Sequence, residues 1–158
     1  MRKLVTGEKK QLQKSGQSGD WLDLELLAQV EITSEDAGYP IESALIENND
    51  SGWRANEPGE QTIRLVFDNP QKISHIQLLF EEAERERTQE FVLRWSPGNG
   101  DTSREVVRQQ YNFSPPMNTR ELEDYTVNLD GVLILEMSIT PDISGGNTRA
   151  SLARLRLA

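Results

Sequence analysis

The 158-residue chain is strongly acidic and carries few groups suited to catalysis or metal binding. Its 17 Lys and Arg residues stand against 26 Asp and Glu residues, which gives a net charge of −9. A negative chain repels nucleic-acid phosphates and anionic lipid headgroups, so we expect neither nucleic acid nor membrane as its partner. With no Cys and one His, disulfides, thiolate ligands and His-cluster metal sites are excluded. We therefore expect a domain that is not an enzyme.

The first twenty residues differ in composition from the rest of the chain. They are polar and basic, with Lys9, Lys10 and Lys14 followed by a Ser- and Gly-rich stretch. We predict a flexible N-terminal tail over residues 1–20 and a single domain over residues 21–158. The tail fits either a basic arm for an acidic partner or a chain end without a role. Because neither a signal-peptide core nor a membrane-spanning run occurs, we expect a cytoplasmic location.

Short segments in which apolar and polar residues alternate follow from Trp21 onward. Such alternation is typical of strands with one buried face, and turn-forming Pro, Gly, Asn and Asp residues lie between the segments. We predict an all-β fold of about eight strands, arranged as an antiparallel sandwich or barrel. The alternating apolar positions are, in chain order, Leu24, Leu26, Ala28, Val30, Ile32, Ile63, Leu65, Phe67, Ile76, Leu78, Phe80, Phe91, Leu93, Trp95, Val127, Leu129, Leu133, Leu135, Met137, Leu152, Leu155 and Leu157.

Three segments between these strands have interpretations of their own. Residues 40–46 predict a short helical turn, because Pro40 suits the first helical position. Residues 81–90 are rich in Glu and Arg, and we interpret them as an exposed, charged connection. Asp130 and Gly131 lie between two strand-like runs and predict a tight hairpin turn.

The order of these features resembles the discoidin family, also called the coagulation factor 5/8 type C family. The features that match are a strand over residues 30–34, the helical turn, a polar loop closed by Trp53, and a strand over residues 61–67. The resemblance covers most of the chain. It implies an antiparallel jelly-roll β-sandwich of the galactose-binding-domain-like type.

The resemblance also implies where ligands and ions bind. Members of the family hold sugars, lipid headgroups or proteins in loops at one end of the sandwich, and often a structural Ca²⁺ beneath one loop. In this chain the resemblance places that ion at Asp50, and it implies no other cofactor. The family often adds a Glu from its last strand, where this chain has Arg154 and Arg156. Extracellular members carry a disulfide, so the chain resembles an intracellular or bacterial relative.

Two segments combine side chains that suit a sugar. Aromatic rings stack on the C–H faces of sugars, while Asn and Arg form directional hydrogen bonds with hydroxyl groups. Trp53 and Arg54 follow the polar loop, and residues 109–116 combine amides, two aromatic rings and two prolines. The aromatic rings fit the core of the sandwich equally well, and the charged connection fits plain exposure to solvent. The candidate ligand-binding residues are Trp53, Arg54, Arg85, Arg87, Tyr111, Asn112 and Phe113.

The leading hypothesis is a non-catalytic binding module for a carbohydrate or another small polar ligand. The alternative is a protein–protein interaction module, or a subunit of a larger intracellular assembly. No nucleophile-elbow or phosphate-binding motif points to an enzyme. A concave pocket at the loop end would favour a small ligand, and a flat apolar patch would favour a protein.

Overall fold

The computed structural model describes residues 2–5, 8–11, 21–46, 51–98 and 103–158. These residues form a jelly-roll β-sandwich, which confirms the predicted fold class, and all strand pairs are antiparallel except β1 with β3. No helix in these ranges is long and apolar enough to cross a membrane. The strands are β1 (Arg2–Val5), β2 (Glu8–Gln11), β3 (Ala28–Ile32), β4 (Trp53–Pro58), β5 (Gln61–Glu81), β6 (Arg87–Ser96), β7 (Arg104–Phe113), β8 (Arg120–Thr140), β9 (Arg149–Leu152) and β10 (Arg154–Leu157), and the helices are α1 (Leu24–Leu27) and α2 (Glu42–Leu45).

Two long strands, β5 and β8, build both layers of the sandwich. The first half of β5 pairs with β3 and with the second half of β8, whereas its second half pairs with β10 and with the first half of β8. The main sheet has the order β2-β1-β3-β5-β8-β6-β7, and β4 pairs with β9 in a separate ladder. The two long strands therefore pass together from one layer into the other.

The hairpin turn predicted at Asp130 and Gly131 is wrong, because both residues lie inside β8. Gly131 has a φ of +73°, and the ladder between β5 and β8 changes register at this level, between Val66 and Gln71. A residue with positive φ bends a strand in the way that a bulge does. The Asp-Gly pair thus bends a long strand at the crossing between layers instead of reversing the chain.

The core lies between the layers and contains most of the alternating apolar residues that the sequence predicts. In β5, every second residue from Gln61 to Phe67 is buried, and the residues between them are partly exposed. The rings of Phe80 and Phe91 stack with their centroids 5.2 Å apart, and both are fully buried. Burying a side chain of this size contributes about 1.5–3 kcal/mol. The two layers are held together mainly by such contacts.

One of the two short helices was predicted from the sequence, and the other was not. The helical turn predicted over residues 40–46 is confirmed by α2. The alternation that begins at Leu24 predicted a strand, but Leu24–Leu27 forms α1. The Asp23 carboxylate accepts a hydrogen bond from the Leu26 backbone N–H at 3.3 Å, which caps this helix. This cap favours a helical turn over the predicted strand. In the helical turn Leu24 is buried, whereas Leu26 is 49% exposed.

Part of the predicted flexible tail is strand. β1 and β2 pair with each other, and β1 also pairs in parallel with β3. Lys3 is only 3% exposed; its ammonium lies 2.9 Å from the Glu35 carboxylate and also contacts Glu42. The two carboxylates offset the cost of removing the ammonium from water. The rest of the predicted tail lies outside the described residues.

We expect Lys3→Met to lower the free energy of unfolding by about 3–5 kcal/mol, because Glu35 would stay buried without its cationic partner. Lys72→Met is the matched control, since Lys72 is exposed, and should have an effect within about 0.5 kcal/mol. Urea denaturation of the three proteins measures both values. Equal stability of all three would show that the first strand does not bury its lysine.

Candidate functional site

Two neighbouring clefts lie where the β5–β6 connection (residues 82–86) meets the β8–β9 connection (residues 141–148). The meeting is fixed by a hydrogen bond from the Ile143 backbone N–H to the Thr88 carbonyl at 2.9 Å. The arginine cleft, about 400 Å³ in volume, is lined by Arg54, Glu81, Glu82, Ala83, Glu84, Arg85, Asn147, Thr148, Arg149 and Ser151. The amide cleft, about 500 Å³ in volume, is lined by Glu86, Arg87, Thr88, Asn112, Phe113, Ser114, Asn118, Asp142 and Ser144.

One wall of the arginine cleft is a guanidinium group placed on an aromatic ring. The Cζ atom of Arg54 lies 4.4 Å from the centroid of the Tyr39 ring, a cation–π geometry. The backbone N–H of Arg54 donates to the Tyr39 carbonyl at 3.1 Å, which holds the two residues together. Arg149 lies 3.7 Å from the Asp36 carboxylate on the same side. The ring thus fixes the plane of the Arg54 guanidinium, and a smaller pocket of about 190 Å³ opens beside it.

The opposite wall is the β5–β6 connection, which Glu82 holds in one conformation. Its carboxylate accepts hydrogen bonds from the backbone N–H groups of Glu84 at 3.0 Å and Arg85 at 3.2 Å. It also accepts from Nε of Arg87 at 2.7 Å. Burial raises the pKa of Glu82, but these hydrogen bonds outweigh it and hold that pKa below its usual value. The connection is therefore a fixed loop that presents Arg85 and Glu84 to the cleft.

The structure separates the seven sequence-predicted ligand residues into four groups. Arg54 and Arg85 line the arginine cleft together. Asn112 lines the amide cleft, where its side-chain carbonyl accepts from the Thr88 hydroxyl at 2.5 Å. Tyr111 lines neither of these clefts; its hydroxyl donates to the Arg120 carbonyl at 3.0 Å.

The remaining three residues are almost fully buried, although Arg87 and Phe113 also line the amide cleft and Trp53 lines the smaller pocket beside Arg54. Trp53 is 1% exposed, and its indole N–H donates to the Ser34 carbonyl at 3.1 Å. Phe113 is fully buried, and Arg87 stacks on its ring at 4.7 Å. A buried ring cannot stack on a sugar unless the core opens. The buried parts of these side chains support the clefts from beneath, and their contact with a ligand stays a prediction.

Several residues of the arginine cleft were missed by the sequence analysis. Tyr39, whose ring lies under Arg54 at the edge of the cleft, is in the turn before α2. Asn147, Thr148 and Arg149 follow two glycines with positive φ, at Gly145 and Gly146. A loop in which two glycines precede polar side chains is a signal that could have identified them.

The predicted Ca²⁺ site at Asp50 lies outside the described residues. Arg156, on the last strand, is 6% exposed, and its guanidinium donates to the Ala44 carbonyl at 2.9 Å and to the Ile46 carbonyl at 3.4 Å. The guanidinium of Arg156 is thus the hydrogen-bond partner of these two carbonyls at the end of α2. Within the described ranges, no three metal-ligating side chains come together.

A polar network lies in the interior beneath the clefts. Arg87 donates to the Gln89 side chain at 3.2 Å, and Gln89 donates to Glu121 at 3.2 Å. Glu121 is only 2% exposed. Burial, and next to it the neighbouring Glu123 carboxylate, raises the pKa of Glu121 to about 8. At neutral pH the Glu121 side chain is therefore mostly protonated and neutral.

Similar structures are known, although no family model and no curated protein sequence matches the chain. The family 32 carbohydrate-binding module of NanJ from Clostridium perfringens, in complex with galactose, has a TM-score of 0.59, with 17% identity over 82% of this chain and 92% of its own. The family 32 module of AlyQ, in complex with 4,5-unsaturated mannuronic acid, has a TM-score of 0.53, with 18% identity over 82% and 92%. Reduced XRCC1, bound to the catalytic domain of DNA polymerase β, has a TM-score of 0.56, with 12% identity over 84% and 95%.

The chain has the galactose-binding-domain-like fold of these proteins. The resemblance to the discoidin fold that the sequence predicts is thereby confirmed. Identities of 12–18% make this a likeness of fold. The ligand has to be argued from the clefts, because one fold carries many functions.

We expect the stability of the protein to fall as the pH rises from about 4.5, the unfolded pKa of Glu121, to about 8, its folded pKa. The folded state binds this proton more tightly than the unfolded state, so the stabilisation is complete below the unfolded pKa and is lost as the pH rises through the folded pKa. The loss approaches about 1.4 kcal/mol per pH unit. Glu121→Gln, which is neutral throughout, should flatten the profile.

Urea denaturation at several pH values measures this slope. Glu60→Gln is the matched control, because Glu60 is exposed and should leave the profile unchanged. An identical slope in the wild type and in Glu121→Gln would mean that Glu121 does not carry the buried proton.

Proposed function

We propose that the chain is a non-catalytic carbohydrate-binding module whose ligand lies in the arginine cleft. The observation that carries the proposal is the concave site at the meeting of two connections, with Arg54 fixed on the ring of Tyr39. Concave, preformed sites with a few oriented polar groups are typical of small-ligand binding. The fold adds support, since proteins with this fold include modules in complex with galactose and with an unsaturated uronic acid.

The chemistry of the lining suits a sugar. Arg54, Arg85 and Arg149 offer guanidinium donors, and the three Glu residues of the β5–β6 wall offer acceptors. Amide and hydroxyl groups of Asn147 and Ser151 complete the lining. Sugar hydroxyl groups both donate and accept, so a lining with balanced donors and acceptors satisfies them. The planar guanidinium groups also match a carboxylate, so uronic acids belong to the proposed ligand class.

The second candidate function, a protein-interaction module, has its own supporting observation. Four large apolar side chains in the described ranges are strongly exposed: Leu26, Met117, Leu122 and Ile143. Exposed apolar groups are a feature of protein-binding surfaces when they form one patch. One protein of this fold, XRCC1, is bound to the catalytic domain of a polymerase. The arginine cleft favours the sugar, because its lining is polar and concave.

We expect Arg54→Ala to weaken sugar binding by about tenfold or more, because a hydrogen bond to a charged group contributes about 1.5–3 kcal/mol. The measurement is isothermal titration calorimetry with the sugar that most raises the thermal midpoint in a panel of neutral sugars and uronic acids. Arg104→Ala is the matched control: Arg104 also lies over an aromatic ring, 5.3 Å from the centroid of Trp95, but it lines neither cleft. This control should bind like the wild type.

Two results would contradict the proposal. A panel in which no sugar shifts the thermal midpoint would exclude a carbohydrate ligand, since any ligand specific for the folded state stabilises it. Equal loss of affinity in Arg54→Ala and Arg104→Ala would place the site outside the arginine cleft.

A further inference from the structure

We infer that the amide cleft is a second subsite, and that the ligand is an oligosaccharide that extends from the arginine cleft into it. This inference rests on the proposed function and names the size of its ligand. Both clefts are lined by consecutive stretches of the same two connections and their flanking strands. On one side, residues 81–85 line the arginine cleft and residues 86–88 line the amide cleft. On the other side, residues 147–149 line the arginine cleft, and Asp142 and Ser144 line the amide cleft.

A single buried side chain lies at the boundary between the two clefts. Nε of Arg87 is 2.7 Å from the carboxylate of Glu82, which lines the arginine cleft. The same guanidinium lies 4.7 Å from the ring centroid of Phe113, which lines the amide cleft. It also donates to the Pro141 carbonyl at 2.7 Å. The linings of the two clefts are thus separated by one guanidinium group, so adjacent sugar units of one oligosaccharide can occupy the two clefts.

The amide cleft has the groups that hydrogen-bond to hydroxyls. Asn112 and Asn118 carry side-chain amides, and Thr88, Ser114 and Ser144 carry hydroxyl groups. The bond from the Thr88 hydroxyl to the Asn112 carbonyl oxygen orients this amide, so that its NH₂ group is the donor for a ligand. Amides in fixed orientations favour ligands that have several hydroxyl groups at fixed angles.

The negative charge of the amide cleft favours an uncharged sugar unit as its ligand. Its acidic lining residues are the exposed Glu86 and the half-buried Asp142, whereas the guanidinium of Arg87 is buried and paired with Glu82. A carboxylate on the ligand would therefore be repelled. The arginine cleft differs, because its three arginines outnumber Glu81 and Glu84, the two lining glutamates other than the Glu82 that is paired with Arg87. A uronic acid is thus accepted in the arginine cleft only, and a neutral sugar unit fills the amide cleft.

Apolar side chains flank the amide cleft on the β8–β9 connection and on the β7–β8 connection (residues 114–119). Ile143 lies between the lining residues Asp142 and Ser144 and is 49% exposed. Met117 precedes the lining residue Asn118 and is 85% exposed. The C–H faces of a sugar ring are apolar, so side chains of this kind at a polar site can cover them. The combination of oriented amides and apolar flanks suits a sugar unit better than it suits an ion.

The test is calorimetric titration with mono- to tetrasaccharides of galactose, mannose, glucose and N-acetylglucosamine. We expect the tetrasaccharide of the recognised sugar to bind about tenfold or more tightly than its monosaccharide, because the second contact is intramolecular. The double variant Asn112→Ala/Asn118→Ala should lose this gain and keep the affinity for the monosaccharide. Asn128→Ala, an exposed Asn on β8 outside both clefts, is the matched control and should keep the gain.

The outcomes separate this inference from the proposed function. If the monosaccharide binds as tightly as the tetrasaccharide, or if the double variant keeps the gain, the second subsite is wrong and the carbohydrate-binding function stands. If no sugar of any length binds and no uronic acid shifts the thermal midpoint, both are wrong. Thermal melting of the double variant checks that it folds, and the single variant Asn118→Ala replaces it where the loss of the Thr88 contact lowers stability.

Discussion

The end of the sandwich that carries both clefts depends on the buried guanidinium of Arg87. It joins the carboxylate of Glu82, the backbone carbonyl of Pro141 and the face of the Phe113 ring, each within 4.7 Å. A buried cation is tolerated only when its charge and its hydrogen-bond donors are matched. Here the carboxylate matches the charge and the carbonyl accepts a further donor. The same contacts fix two connections that are far apart in sequence, and these connections form the cleft walls.

The polar interior beneath this point follows from the same constraint. Gln89 transmits the hydrogen bonding of Arg87 to Glu121, and protonation of Glu121 avoids an unpaired negative charge there. The long strands β5 and β8 supply the frame, since β5 ends at one cleft wall and β8 leads into the other. Cleft walls that are held in this way are preorganised, so the free-energy cost of ordering them on ligand binding is small. This property is consistent with the binding function proposed above.

The sequence analysis identified exposed site residues better than aromatic ones, and the reason is physical. Arg54, Arg85 and Asn112 are polar side chains at strand ends or in a loop, where composition alone favours exposure. Trp53 and Phe113 are equally suited to a core and to a sugar face, and only packing distinguishes these two roles. Lys3 and Arg87 were misjudged for the opposite reason. Their charges predicted exposure, and partners elsewhere in the chain bury them.

The sequence by itself determined the all-β class, because the period-two alternation of apolar residues specifies one buried face per strand, whatever the order of the strands. The order of its features, through the family resemblance, then favoured the sandwich over a barrel. It also determined the acidic charge and the scarcity of catalytic groups. Only the tertiary structure decided where the clefts lie. Arg87 and Pro141 are 54 positions apart, and Lys3 and Glu42 are 39 apart. Whether a charged side chain is buried or exposed depends on whether such distant partners contact it in the folded protein. The local sequence around that side chain does not show these contacts.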